Sequence, residues 1–214
     1  MLTASTRTRA FQLGLRSSSA SASALGLLSR RCQSTAVKLN PNALDLRVGF
    51  IKCIKRHENA DSLYVSQVRI GNDYDKDVLQ VCSGLVGLVA MEQLDQSRVV
   101  VVKNLKASKM RGVKSEAMLL CAESKNTVDD GEVRKVTPVV PPTDADIGDA
   151  ITFEGGIDSG EVKKSKLKGS KFMEYAEHLS VDDRWRVVWN GGEAVLVGCS
   201  VGEGDIAYIG GAVR

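Results

Sequence analysis

The stretch Arg98-Val99-Val100-Val101-Val102-Lys103-Asn104-Leu105-Lys106-Ala107-Ser108-Lys109-Met110-Arg111-Gly112-Val113-Lys114-Ser115-Glu116-Ala117-Met118-Leu119-Leu120-Cys121 decides the fold. The four β-branched residues at 99–102 predict a strand, and residues 114–121 predict another, so the segment between them is a loop held at both ends. From Lys103 to Lys114 this loop carries Lys103, Lys106, Lys109, Arg111 and Lys114 and no acidic residue. Asn104 and Ser115 add short hydrogen-bonding side chains, and Met110 and Met118 add polarizable apolar ones.

Working outward, residues 44–54 alternate as a strand that bends at Gly49, and His57-Glu58-Asn59-Ala60-Asp61 is a polar turn. Residues 63–70 and 78–82 are two further strands, separated by a turn at 71–77. Residues 89–94 predict one or two helical turns before the valine strand. Five short strands with a small helix before the fourth predict an all-β dominated fold built on a small closed barrel, with a sandwich as the alternative. Pro138, Pro141 and Pro142 punctuate the chain, and from Lys163 its character changes. Lys163, Lys164, Lys166, Lys168 and Lys171 precede Phe172, Met173, Ala176 and Leu179 at helical spacing. Trp185, Val187 and Trp189 then alternate up to Asn190-Gly191-Gly192, which predicts a hairpin with residues 193–197. The 52 residues from 163 to 214 are few for an independent core, so they are expected to form a small α+β extension packed on the barrel.

In 214 residues, 43% hydrophobic and 26% charged is ordinary globular composition, and no apolar run approaches the roughly 18 residues that a membrane helix requires. No membrane insertion is expected. Cys32, Cys53, Cys82, Cys121 and Cys199 are odd in number and lack Cys-x-x-Cys spacing, which argues against a disulfide framework and a zinc site; Cys53, Cys82 and Cys121 read as core thiols. Residues 1–36 hold Arg7, Arg9, Arg16, Arg30 and Arg31, no acidic residue and a Ser/Ala-rich run, the composition of a mitochondrial transit peptide, with a disordered tail as the alternative. Setting those five aside leaves 24 of the 29 basic residues against 26 acidic ones, a net charge of −2. Affinity for an anionic polymer must then come from where the cations sit.

Cations suit phosphate oxygens, while amides, hydroxyls and flat apolar groups suit sugars and splayed bases, so the basic loop fits RNA better than a carboxylate ligand. A solvated turn is the plain alternative. Residues 44–153 also carry Leu44-Asp45-Leu46-Arg47-Val48-Gly49, then His57-x-x-Ala60-Asp61-x-Leu63-Tyr64-Val65, then Ser83-Gly84-Leu85, then Asn104-Leu105-Lys106 through Lys109-Met110-Arg111-Gly112-Val113-x-Ser115-x-Ala117-Met118. This set resembles the tRNA-binding domains related to endothelial monocyte-activating polypeptide II, the multisynthetase-complex cofactors and the yeast aminoacylation cofactor. The resemblance implies a five-stranded OB-fold barrel that binds tRNA without catalysis, with the RNA contacts on Asn104, Lys106, Lys109, Arg111, Ser115 and Met118. Glu58 and Ala107 stand where relatives usually carry proline.

The organisation expected is a transit peptide over 1–36, a linker over 37–43, the OB-fold domain over 44–154 and the extension over 163–214. By resemblance, the extension mimics the subunit interface of dimeric bacterial relatives, which implies a monomer. The expected function is that of a non-catalytic tRNA-binding protein of the mitochondrial matrix, an aminoacylation cofactor or tRNA carrier, with tRNA and an aminoacyl-tRNA synthetase as partners and no cofactor or metal. Two alternatives are a scaffold that docks a synthetase and a general single-strand binder using Phe50, Tyr64 and Tyr74. Neither His57 nor His178 has the neighbours of a general base.

Overall fold

The computed structural model describes residues 39–73, 76–124, 134–157, 164–202 and 204–214. The expected presequence, residues 1–36, lies outside them, as do Tyr74 and Lys163. The first sheet is built on β1 (Leu46–His57), a strand of 12 residues that pairs antiparallel with β2 (Ala60–Arg69) along one edge and with β4 (Arg98–Val102) along the other. β3 (Val78–Ser83) extends it beyond β2, and β7 (Met118–Leu119) beyond β4. β10 (Ala150–Ile151) joins the start of β1. A single helical turn, α1 (Met91–Leu94), buries Leu94 and leads into β4.

β4 explains why its sequence shows no polar alternation. All four valines are buried, but successive side chains leave opposite faces of a strand. Val99 and Val101 join a core with Ile51, Val68, Val81 and Leu119, whereas Val100 and Val102 join a second core with Leu46, Val48, Leu120, Phe172 and Trp189. The strand is therefore a wall shared by two cores. Gly49 lets the strands approach: a Cβ there would stand 2.7 Å from Val101 Cγ2 and 2.8 Å from Val68 Cγ1.

The second core belongs largely to the later sequence. β11 (Phe153–Gly155), β12 (Leu179–Val181), β13 (Arg186–Trp189) and β14 (Ala194–Ser200) form a sheet in the order β11-β14-β13-β12, with the helix α2 (Gly169–Ala176) packed on it. The turn between β13 and β14 places Asn190, Gly191 and Gly192 at positive φ. Trp189 is the hub, with the rings of Phe153, Tyr175 and His178 at 6.5, 6.1 and 5.0 Å. The expected boundary at residue 154 falls inside β11. Residues 41–43, expected as linker, form a short 3-10 turn in which Asn42 exchanges hydrogen bonds with the backbone of Phe153.

Three expectations need correction. The strand expected over 114–121 is broken into β6 (Val113–Ser115), β7 and β8 (Cys121–Glu123), and β6 pairs back on β5 (Ser108–Met110) as a hairpin. The expected closed barrel is an open sheet. Where β3 faces residues 114–117, a backbone bond from Glu116 N–H to Gln80 C=O (2.8 Å) is joined by side-chain bonds, among them Cys82 N–H to Ser115 Oγ (3.0 Å) and Gln80 Nε2 to Lys114 C=O (2.7 Å). Cys53, expected in the core, is exposed, because a register shift between Ile51 and Cys53 reverses the alternation. Among the described residues no helix is long and apolar enough to cross a membrane.

β8 is covered from both sides: β9 (Val136–Pro138) pairs with it, and Cys121 and Arg214 exchange backbone hydrogen bonds at 2.9 and 2.8 Å. Glu123 receives Nε and Nη2 of both Arg134 and Arg214. Burial pushes its carboxyl up, but the hydrogen bonds from Arg214 and Arg134 outweigh that and hold it below 4.5.

Trp189→Ala is expected to lower the unfolding free energy by about 3–5 kcal/mol in a single urea transition that takes the first sheet with it, since both sheets share the β4 wall; two transitions would show that the sheets fold separately. Glu123→Gln is expected to cost about 1–2 kcal/mol at neutral pH, with the arginines half exposed. Because the folded carboxyl titrates below its unfolded value, this stabilisation is present above 4.5 and lost as pH falls through the folded value. Unfolding curves of wild type and variant should converge in acid.

Candidate functional site

After β4 the chain leaves the sheet through Asn104, which is 4% exposed. Its Oδ1 accepts the Asp45 N–H (2.9 Å), and its Nδ2 donates to the carbonyls of Ala43 (2.8 Å) and Ser165 (2.9 Å). One amide thus joins the entry to β1, the basic segment and the later lysine run. Next to it Leu105 pairs with Leu167: Leu167 N–H donates to Asn104 C=O (2.7 Å) and Lys106 N–H to Leu167 C=O (2.8 Å). Lys166 Nζ reaches the carbonyls of Lys103 (3.2 Å) and Leu105 (3.4 Å). Lys103, Lys106, Lys114 and Lys166 then line one shallow hollow with Leu79 and Glu116.

The hairpin of β5 and β6 projects from this base. Met110 pairs with Val113, and the two residues between them, Arg111 and Gly112, lie at φ +48° and +93°, the left-handed conformation that a two-residue hairpin turn demands. Gly112 adopts it freely, whereas an arginine there is strained. Lys109 stands opposite Lys114, a like-charged cross-strand pair that costs further stability. Lys114 is relieved by Glu116 at 2.6 Å, and that hydrogen bond, followed by one from the Gln80 backbone, holds the Glu116 carboxyl below its ordinary value. Among the described residues, Lys106, Lys109 and Arg111 make no ion pair. His57 steadies the hairpin from below: its Nδ1 accepts the Asn59 N–H (3.0 Å), so Nε2 carries the proton and donates to Met110 C=O (3.3 Å).

Of the six expected contact residues, Lys106, Lys109 and Arg111 are exposed and Met118 is half-buried. Asn104 and Ser115 point inward. Ser115, 5% exposed, accepts from Cys82 N–H and donates to Ala117 C=O, both at 3.0 Å. Those two side chains are spent on the frame that aims the cations. Lys166 was missed as a member of the site, although its lysine run was visible in the sequence; nothing local signals that it lies beside Leu105. Tyr64 is core, its hydroxyl donating to Val89 C=O at 3.2 Å, so it offers no stacking face.

Residues 46–150 match the family described as "Putative tRNA binding domain". A segment of 115 residues is 48% identical to the tRNA-aminoacylation cofactor arc1 of Schizosaccharomyces pombe, covering 54% of this chain and 24% of that protein. Over 132 residues the chain is 42% identical to the cytoplasmic tyrosine–tRNA ligase of Xenopus tropicalis, 60% of this chain and 24% of the ligase. Over 116 residues it is 42% identical to the aminoacyl tRNA synthase complex-interacting multifunctional protein 1 of Mus musculus, 54% of this chain and 34% of that protein. The chain thus spans about a quarter to a third of the length of these relatives. The crystal structure of the C-terminal domain of Plasmodium vivax p43 shares the fold, with a TM-score of 0.63 and 23% identity over 81% of this chain and 98% of that domain.

Arg111→Asn is expected to keep the turn, because asparagine tolerates positive φ, and to leave the melting temperature equal to or above that of wild type. A clear drop would mean that the guanidinium has a partner inside the protein. Asn104→Ala is expected to cost about 3 kcal/mol by urea unfolding, since it strands buried carbonyls and an amide.

Proposed function

From the match of residues 46–150 to a tRNA-binding family, we propose that this protein is a non-catalytic tRNA-binding protein that serves as an aminoacylation cofactor or tRNA carrier. The observation that carries the reading is the hairpin of residues 108–115. It accepts a strained arginine and an opposed lysine pair, and among the described residues Lys106, Lys109 and Arg111 make no ion pair. Local rules of stability are broken where charge display is the gain. The cations attract the tRNA backbone by counterion release, and the frame from Asn104, Ser115 and His57 fixes their spacing so that a folded backbone fits better than a slack one.

A synthetase is the protein partner proposed, by similarity to proteins whose names place them with aminoacylation. The composition of residues 1–36 supports delivery to the mitochondrial matrix, tested by whether those residues import a fused reporter. The later sheet and α2 cover the outer face of β4, which supports a monomer at that surface. Both ring nitrogens of His57 are engaged with backbone groups, which supports a structural role for that residue over an acid–base one.

In a salt titration of tRNA binding, Arg111→Asn and Lys109→Ala are each expected to weaken affinity and lower the slope of log K against log salt by about 0.7–0.9 for a lost phosphate contact. An unchanged slope would remove that residue from the interface. Wild type should prefer folded tRNA over an unstructured oligonucleotide of equal length; equal affinities would sink the preference for structured RNA.

A further inference from the structure

The hairpin has a second side. Between its inner face, the end of β3 and the helix α2 lies a cleft of about 370 Å³, in the size range of small-ligand sites. Met110, Met118, Phe172 and Met173 form its apolar walls. Met173 is 45% exposed, an apolar side chain left uncovered at the mouth. Thioethers offer soft, polarizable surface suited to the face of a flat ring. The walls also hold Ser108 and Ser83, and Ser83 Oγ is buried with no hydrogen-bond partner among the described residues.

The rim is cationic. Lys106 lines it, as do Arg134 and Arg214, which share the single carboxylate of Glu123 through Nε and Nη2. The three side chains together carry a charge of +1 and leave both Nη1 groups outside these bonds. An apolar peptide side chain would use the walls and waste the cations; an anion alone would use the cations and waste the walls. A nucleotide uses both. The cleft is also continuous with the proposed RNA path, since Lys106 lines both it and the hollow holding Lys103 and Lys166, while Met110 lines both it and the recess under Arg111.

We propose that this cleft is a subsite for one unpaired nucleotide of the bound RNA, its base between Met118 and Met173 and its phosphate at Lys106. The inference rests on the tRNA-binding reading and adds to it a place where an unpaired base is held apart from the backbone contacts.

The test uses the full chain and two RNA hairpins of one stem sequence, one blunt and one with a short unpaired 3′ extension. Wild type is expected to bind the extended RNA about 10-fold more tightly, within the range of one base stacked on protein. Met173→Asp, at an exposed position, should bring the ratio of the two affinities close to one; reading a ratio cancels the general effect of the added charge. Arg111→Asn should weaken both RNAs and leave the ratio unchanged. Equal binding of the two RNAs by wild type, or an undiminished ratio in Met173→Asp, overturns the subsite while the tRNA-binding reading stands. Failure to bind either RNA overturns both. An abasic extension that keeps the full advantage overturns the base as occupant and leaves only phosphate at the rim.

Discussion

The structure depends on one strand serving two interiors. Because Val99 and Val101 face one core and Val100 and Val102 the other, the first sheet cannot be stable with a bare outer face, and the later sheet cannot be stable without that face to cover. The basic segment leaves the sheet from the end of this wall. Its anchor is therefore among the least deformable places in the molecule, and the cations inherit a fixed origin.

Position is then passed outward by polar groups. Asn104 ties three stretches of backbone with one side chain, Ser115 bridges β3 to the hairpin, and His57 props up Met110. All three are buried and are among the few polar side chains that are. Each would be costly left unsatisfied, so each specifies a geometry as well as permitting it. The exposed residues of the site, by contrast, touch little. Charge display and frame are separate jobs done by different residues: buried Asn104 and Ser115 bracket the exposed cations, and His57 supports them from β1.

Much of this was legible in the chain. The valine run, the turn at Asn190-Gly191-Gly192 and the basic segment all announced themselves through periodicity and turn chemistry, which are local properties. What was hidden is non-local. Nothing near Cys53 reveals the register shift that turns it outward, since pairing with β2 imposes it. Asn104 and Ser115 have the same chemistry whether they face RNA or protein, and only tertiary neighbours decide. Lys166 joins the site through a pairing of Leu105 with Leu167 between segments far apart in sequence. The open seam follows from Glu116 and Ser115, whose side chains replace part of a backbone ladder that the run of five predicted strands suggested would close.

The pairing of β8 with the backbone of Ala212 and Arg214 has a kinetic side. Glu123 and Arg214 are 91 positions apart, so that contact closes a very long loop and cannot assist the early steps of folding. Until it forms, one edge of β8 is unsatisfied and the valine wall lacks part of its cover. A half-assembled chain of this kind is a ready partner for other nascent strands, and its yield should depend on how well it is chaperoned until the late segment arrives.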